Sequence, residues 1–177
     1  MHPFQELIEK FNKDFDTTHF PSQPASLYEP SEYFLKIGGK RIRPVLCLLG
    51  NELFSDLHPD AFLAAKAVEL FHNFSLVHDD IMDDAPLRRG NKTVHEKWSI
   101  NTGILSGDAM LIMAYQLFEK YEPATFQALA KLFSKTALEV CEGQQYDVDF
   151  ETRADVTIPA VFLSKVDGDS FPRRSQG

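Results

Sequence analysis

The sequence is short of cysteine, of positive charge and of long apolar runs, and each shortage removes a class of function. Its two cysteines, Cys47 and Cys141, stand 94 positions apart with no CxxC or Cys/His spacing, which argues against a disulfide framework or a zinc site. No apolar run approaches the roughly 20 residues that a helix needs to cross a bilayer, so no membrane span is expected. The first residues carry an acidic amphipathic pattern in place of a signal peptide, and the expected compartment is the cytoplasm. With 18 Lys+Arg against 26 Asp+Glu, a net charge of −8, bulk charge does not suit a nucleic-acid partner and none is expected. Outside Val156 to Leu163 there is no alternating strand of five or more residues, and there is no internal repeat. What remains, 44% apolar and 25% charged residues in a chain of 177, is the composition of an ordinary globular protein.

The apolar spacing is helical almost throughout. Phe4, Leu7, Ile8, Phe11 and Phe15 form one stripe behind Pro3, which predicts a first helix of about three turns. Thr17 to Pro30 holds three prolines and reads as a connector. Pro30-Ser31-Glu32 then opens a short helix that stops at Gly38-Gly39. An apolar segment follows Pro44, from Val45 to Phe54. The longest helical signal runs from Pro59 to about Asp84, apolar nearly all round and therefore buried, and Pro86 ends it. Thr102 to Tyr121 reads as a further buried helix with small residues on one side (Gly103, Ser106, Gly107, Ala109), and Pro123 to about Tyr146 as another. The fold class is all-α.

The chemistry concentrates at the end of the long helix, in VHDDIMDDAPLRR from Val77 to Arg89. Asp79, Asp80, Asp83 and Asp84 share its last turn, and at 100° per residue Asp79 and Asp83 project within about 40° of each other. Like charges at i, i+4 repel by a few tenths of a kcal/mol, and anions at a helix C-terminus are disfavoured by roughly 0.3–1 kcal/mol each. A cation is the natural compensation. Hard carboxylate oxygens, with His72 and His78 on different faces, select Mg²⁺ or Mn²⁺ over zinc. Mg²⁺ keeps waters and binds through one or two carboxylates plus phosphate, so the pattern predicts a phosphorylated ligand. Two basic sets suit such an anion: Arg88-Arg89, and Lys40, Arg41 and Arg43 at the start of a buried helix. The plainer reading of each is a solvated charge run, but two basic sets and an acidic one in a single helical core favour a site.

GGKRIRP (Gly38 to Pro44), HDDIMD (His78 to Asp83), RRG (Arg88 to Gly90) and GDAML (Gly107 to Leu111) together resemble the trans-isoprenyl diphosphate synthases, the polyprenyl synthetase family, and GQQYD (Gly143 to Asp147) fits its later helix. The resemblance covers about residues 27 to 158 and implies an isoprenoid synthase-type helical bundle. By it, Asp79 and Asp83, with Asp80 assisting, form the first metal-binding aspartate motif. Arg88 holds an allylic diphosphate; Lys40, Arg43, His72 and Arg89 correspond to the isopentenyl diphosphate site; Gln144 and Asp147 face the pocket from the opposite helix. The implied reaction ionises the allylic diphosphate with help from Mg²⁺ and basic side chains. The π-bond of isopentenyl diphosphate then attacks the carbocation and a proton is lost. Phe74 and Ser75, five and four positions before Asp79, stand where the family limits chain length. An aromatic at Phe74 implies a short or medium product, with ordinary core packing as its alternative. The family implies a homodimer, and the small residues of the helix from Thr102 to Tyr121 are candidates for part of that face.

The text departs from the family after Pro159. No Lys-Thr pair and no second helical aspartate motif follows, and AVFLSKVDGDSFPRRSQG does not match the family's next helix. The expectation is a domain over residues 1–160, truncated to its N-terminal helices, then a disordered non-family tail over 161–177, the product of truncation, a frame shift or an appended foreign tail. Weak or absent turnover by this chain alone is expected to follow. Two rival functions stand beside the synthase. One is a non-catalytic half-synthase that pairs with a complete subunit; the other is a different class I terpenoid enzyme such as a cyclase, against which Lys40, Arg43 and Arg89 count.

Overall fold

The computed structural model describes residues 1–15 and 20–150, and apart from one small hairpin its regular structure there is helical. The chain divides into two compact units, Met1–Glu122 and Pro123–Gly177. The expected domain boundary at residue 160, the tail after it and the strand-like stretch Val156 to Leu163 lie outside the described residues.

In the first unit, helix α1 (Phe4–Asp14) has the predicted three turns. Its Leu7 and Phe11, one turn apart, are fully buried against Val45, Leu48 and Ala65, and each such side chain contributes about 1.5–3 kcal/mol. Helix α2 (Ala25–Lys36) starts earlier than the prolines suggested: Pro24 is its N-cap and Pro30 lies inside it. Pro30 costs the helix one hydrogen bond, but it is fully buried, so packing offsets that loss. Neighbouring Ser31 donates its hydroxyl across to the carbonyl of Ser106 at 3.2 Å. The helix stops where the glycines predicted, with Gly38 at φ +79°. Helix α3 (Ile42–Glu52) starts two residues before Pro44, which sits in the first turn, where no intrahelical donor is needed.

Helix α4 (Ala61–Met82) is the central element. It packs chiefly on α6 (Ile100–Phe118), whose Gly103, Ser106, Gly107, Met110 and Ala114 form the buried stripe. Of the small residues named for a dimer face, Gly103, Ser106 and Gly107 are buried within the chain. A Cβ on Gly103 would sit 2.8 Å from Ile81, and one on Gly107 would sit 2.5 Å from the His78 ring, so this stripe lets the two helices approach. Between them run strands β1 (Leu87–Arg88) and β2 (Asn91–Lys92), paired antiparallel, and the single turn α5 (Val94–Lys97). Periodicity could not reveal strands of two residues. In the second unit, α7 (Pro123–Phe150) runs one turn beyond Tyr146. There Tyr146 stacks on Phe150 at 6.0 Å and Gln145 donates to Asp149 at 2.8 Å. Among the described residues no helix is long and apolar enough to cross a membrane.

A buried ion pair fastens α3 to α4. Arg41, the N-cap of α3 in the left-handed region at φ +53°, donates to Glu69 of α4, and both side chains are below one-tenth exposed. Its Nε also donates to Asn12 at 3.1 Å, and its guanidinium lies 5.3 Å from the centre of the Phe15 ring. Arg41 is thus committed to the fold, while Lys40 and Arg43 on either side of it are exposed. Removing one member of a buried pair strands the other charge, which costs about 3–5 kcal/mol. Arg41→Ala is expected to lower unfolding stability by about that much in urea titrations, and Arg41→Met combined with Glu69→Leu to recover most of it.

Candidate functional site

The four aspartates do not share one environment. Asp79 and Asp80 are the last acidic residues inside α4; Asp83 is its C-cap; Asp84 lies beyond the helix at φ +49°. The amide of Ala85 bonds the carbonyl of Asp80 at 2.9 Å and that of Asp84 bonds Ile81 at 3.2 Å, the paired 6→1 and 5→2 bonds of a Schellman stop. The residue that must adopt the left-handed conformation is usually glycine, and aspartate is among the few others that tolerate it. Pro86 then turns the chain away, and Thr93 ties the returning strand back by donating to the Ala85 carbonyl at 2.7 Å.

That return brings Arg88 onto the aspartates. The hairpin loop consists of Arg89 and Gly90, at φ +52° and +79°, the two positive angles that a two-residue type I′ turn requires. Arg88 Nε donates to both carboxylate oxygens of Asp80 at 2.9 Å, and its Nη2 lies 2.8 Å from Asp80 Oδ1. The same Nη2 reaches Asp79 Oδ2 at 3.5 Å. Asp80 is only 2% exposed. Burial pushes its carboxyl above the ordinary aspartate range, and the hydrogen bonds and charge of Arg88 pull it part of the way back. Asp79 is half-buried, Asp83 and Asp84 are exposed, and Asp79 and Asp83 stand one turn apart.

Among the described residues no group of three or more His, Cys, Asp or Glu is gathered as a metal cage. Two hard carboxylates do not fit zinc or a fully protein-ligated ion. They fit Mg²⁺, which takes one or two protein carboxylates and fills its remaining positions with water and phosphate oxygen.

The basic residues meet the acidic end through the same hairpin. A Cβ on Gly39 would sit 2.9 Å from Arg89 Nη1: the guanidinium lies across Gly39, and the second glycine of GGKRIRP leaves room for it. The RRG turn thereby touches the loop that carries Lys40. On the next helix Arg43 Nη1 lies 3.4 Å from His72 Nε2, which joins the start of α3 to the middle of α4. Arg89 against Gly39 and Arg43 against His72 are thus two contacts on one unit, with Lys40 next to Gly39 in the chain. Gln144 and Asp147 lie on α7, in the other unit.

Below Asp79 on α4 the side chains are aromatic. Phe74 contacts Phe71, ring centres 5.7 Å apart, and His78 edge-on at 4.6 Å. The His78 ring bonds the Ile104 carbonyl at 3.1 Å and lies 3.6 Å from Asp108, in the space that Gly107 leaves. Ser75 turns its hydroxyl back to the His72 carbonyl at 2.8 Å. Sequence reasoning missed His78 as a packing partner of GDAML. The signal was available: a glycine in a buried helix stripe marks a place where something approaches closely.

A sequence model of the polyprenyl synthetase family matches residues 24–167. The chain is 44% identical to a geranylgeranyl diphosphate synthase of Methanosarcina mazei, over 77% of this chain and 43% of that protein. It is 40% identical to a geranylfarnesyl diphosphate synthase of Natronomonas pharaonis, over 76% of this chain and 45% of that protein. Among solved structures, a crystal structure of a geranylgeranyl pyrophosphate synthase superposes with a TM-score of 0.90 at 54% identity, covering 94% of this chain and 51% of that one. The chain therefore spans about half the length of the relatives it matches.

Three non-glycine residues among the described ones hold positive φ, namely Arg41, Asp84 and Arg89, and all three lie in the loops around this site. Such backbone strain costs about 1 kcal/mol or more per residue and concentrates where function demands it. Arg89→Gly is expected to raise stability by about 1 kcal/mol in denaturant titrations.

Proposed function

The chain belongs to the polyprenyl synthetase family, the trans-isoprenyl diphosphate synthases, and from that premise we propose that its first unit carries the diphosphate-binding face of a Mg²⁺-dependent prenyltransferase. In this reading the protein condenses isopentenyl diphosphate with an allylic diphosphate to a short- or medium-chain prenyl diphosphate. The observation that carries the reading is the RRG hairpin. It sets Arg88 on the acidic end of α4 and lays Arg89 over Gly39, so cations and carboxylates from three separated motifs border one another.

The residues divide the work by position. Asp79 and Asp83 hold the metal, with Asp80 behind them. When bound, Mg²⁺ neutralises the charge that develops on the departing diphosphate. Arg88 gives hydrogen bonds to the allylic diphosphate beside that metal. Lys40, Arg43, His72 and Arg89 hold the diphosphate of the second substrate, whose double bond must lie against the developing cation. Phe74 and Ser75, with Phe71 and His78 beside them, form an apolar floor beneath Asp79 that keeps water from the carbocation and limits the growing chain. The names of the relatives, geranylgeranyl and geranylfarnesyl diphosphate synthases, support a product of that class. Gln144 and Asp147, and a homodimer, belong to this proposal through the family resemblance alone.

Calorimetric titration with each substrate in Mg²⁺ tests the reading. Both isopentenyl diphosphate and an allylic diphosphate are expected to bind, and a ligand at a hundred times its Kd to stabilise the fold by about 2.7 kcal/mol. EDTA should abolish the allylic signal. Binding of the allylic diphosphate alone would mark a cyclase-like site, and silence toward both would overturn the proposal.

A further inference from the structure

Of the carboxylates at the end of α4, Asp80 is the one turned away from solvent, and its geometry differs in kind from that of a metal ligand. Both of its oxygens accept from Arg88 Nε at 2.9 Å, and Oδ1 also lies 2.8 Å from Nη2. The Nε–Nη2 edge of the guanidinium is therefore taken. The Nη1 edge makes no hydrogen bond among the described residues, and the Arg88 side chain is 22% exposed while that of Asp80 is 2% exposed. A guanidinium is planar, so gripping one edge fixes the direction of the other. An arginine next to an unsaturated metal carboxylate would otherwise compete for it. From Arg88, Asp79 receives the longer 3.5 Å approach of Nη2.

We propose that Asp80 is a positioning residue and not a metal ligand: it holds the Nε–Nη2 edge of Arg88 so that the Nη1 edge is presented to a phosphate oxygen, and it keeps Arg88 from pairing fully with Asp79. The proposal rests on the diphosphate reading above and assigns a division of labour within it. Asp79 and Asp83 take the ion, and Asp80 orients the guanidinium. Because Arg88 and Asp80 together are neutral, Arg88 contributes directed hydrogen bonds more than net charge.

The test uses the whole chain, with inorganic diphosphate as probe. Affinity is measured by isothermal titration at several Mg²⁺ concentrations for wild type, Asp80→Asn, Arg88→Gln and the double variant, each checked by circular dichroism. Asp80→Asn is expected to weaken diphosphate binding about tenfold with an unchanged Mg²⁺ dependence, and to add nothing once Arg88 is Gln, because it acts through that residue. A flattened Mg²⁺ dependence in Asp80→Asn, a further loss in the Arg88→Gln background, or unchanged affinity in Asp80→Asn would each overturn the assignment. Should Asp80→Asn fail to fold, nitrogen-15 NMR of wild type decides. The Arg88 Nε–H is expected to stay protected from exchange when Mg²⁺ and diphosphate are added, and its exposure would show that Arg88 leaves Asp80 and overturn the proposal. No binding by wild type at any Mg²⁺ concentration would remove the diphosphate reading itself, whereas the variant outcomes bear on Asp80 alone.

Discussion

Four carboxylates crowded at the negative end of a buried helix dipole are the constraint around which the first unit is organised. Each solution in the structure is local. Asp80 is driven under the surface, where an unpaired charge would be prohibitive, and Arg88 meets it edge-on. Asp84 leaves the helix and becomes the left-handed residue of a Schellman stop. Asp79 and Asp83 stand one turn apart, where the proposed cation would relieve their repulsion. The hairpin exists to bring Arg88 back: Pro86 breaks the helix, Arg89 and Gly90 reverse the chain, and Thr93 fastens the return.

A second buried ion pair repeats the device elsewhere on the same helix. Arg41 on Glu69 pins the start of α3 to the middle of α4, as Arg88 on Asp80 pins the hairpin to its end. Exposed cations stand next to both arginines in the chain, Lys40 and Arg43 in one case and Arg89 in the other. In each loop one basic residue is spent on placing the others. Buried ion pairs add little net stability compared with apolar packing, so their value here lies in fixing where loops stand relative to α4. That agrees with the strained φ values of Arg41 and Arg89, which only a strongly determined environment maintains.

Much of this was legible in the sequence, and the failures are instructive. The α1 stripe, the stop at Gly38-Gly39, the burial of α4 and α6 and the separation of His72 from His78 follow from residue spacing, which needs no tertiary information. The aspartate cluster announced itself by breaking two helix rules in one turn. Pro30 misled because its cost to α2 is offset by burial, a tertiary effect that local propensity does not contain. The hairpin was too short to leave a period. Arg41, Arg43, Arg88 and Arg89 look alike in sequence; only the fold shows that Arg41 and Arg88 serve the buried carboxylates of Glu69 and Asp80. The small residues of α6 were read as a surface for a partner, and they are the means by which His78 and Ile81 of α4 fit.

That separation bears on why the proposed site would need a metal. Counted from the sequence, the two basic sets offer Lys40, Arg41, Arg43, Arg88 and Arg89, enough to suggest that side chains alone hold a diphosphate. Pairing of Arg41 with Glu69 and of Arg88 with Asp80 cancels two of those charges inside the protein. Of the other three, Arg89 lies across Gly39 and Arg43 beside His72, both toward the α3 side. The α4 end, where the allylic diphosphate is assigned, carries the acidic residues Asp79, Asp83 and Asp84. In the proposed reading a divalent cation held there would offset the repulsion between these carboxylates and a diphosphate. In that reading the same carboxylates that make the helix end unfavourable in isolation would tie binding there to the ion.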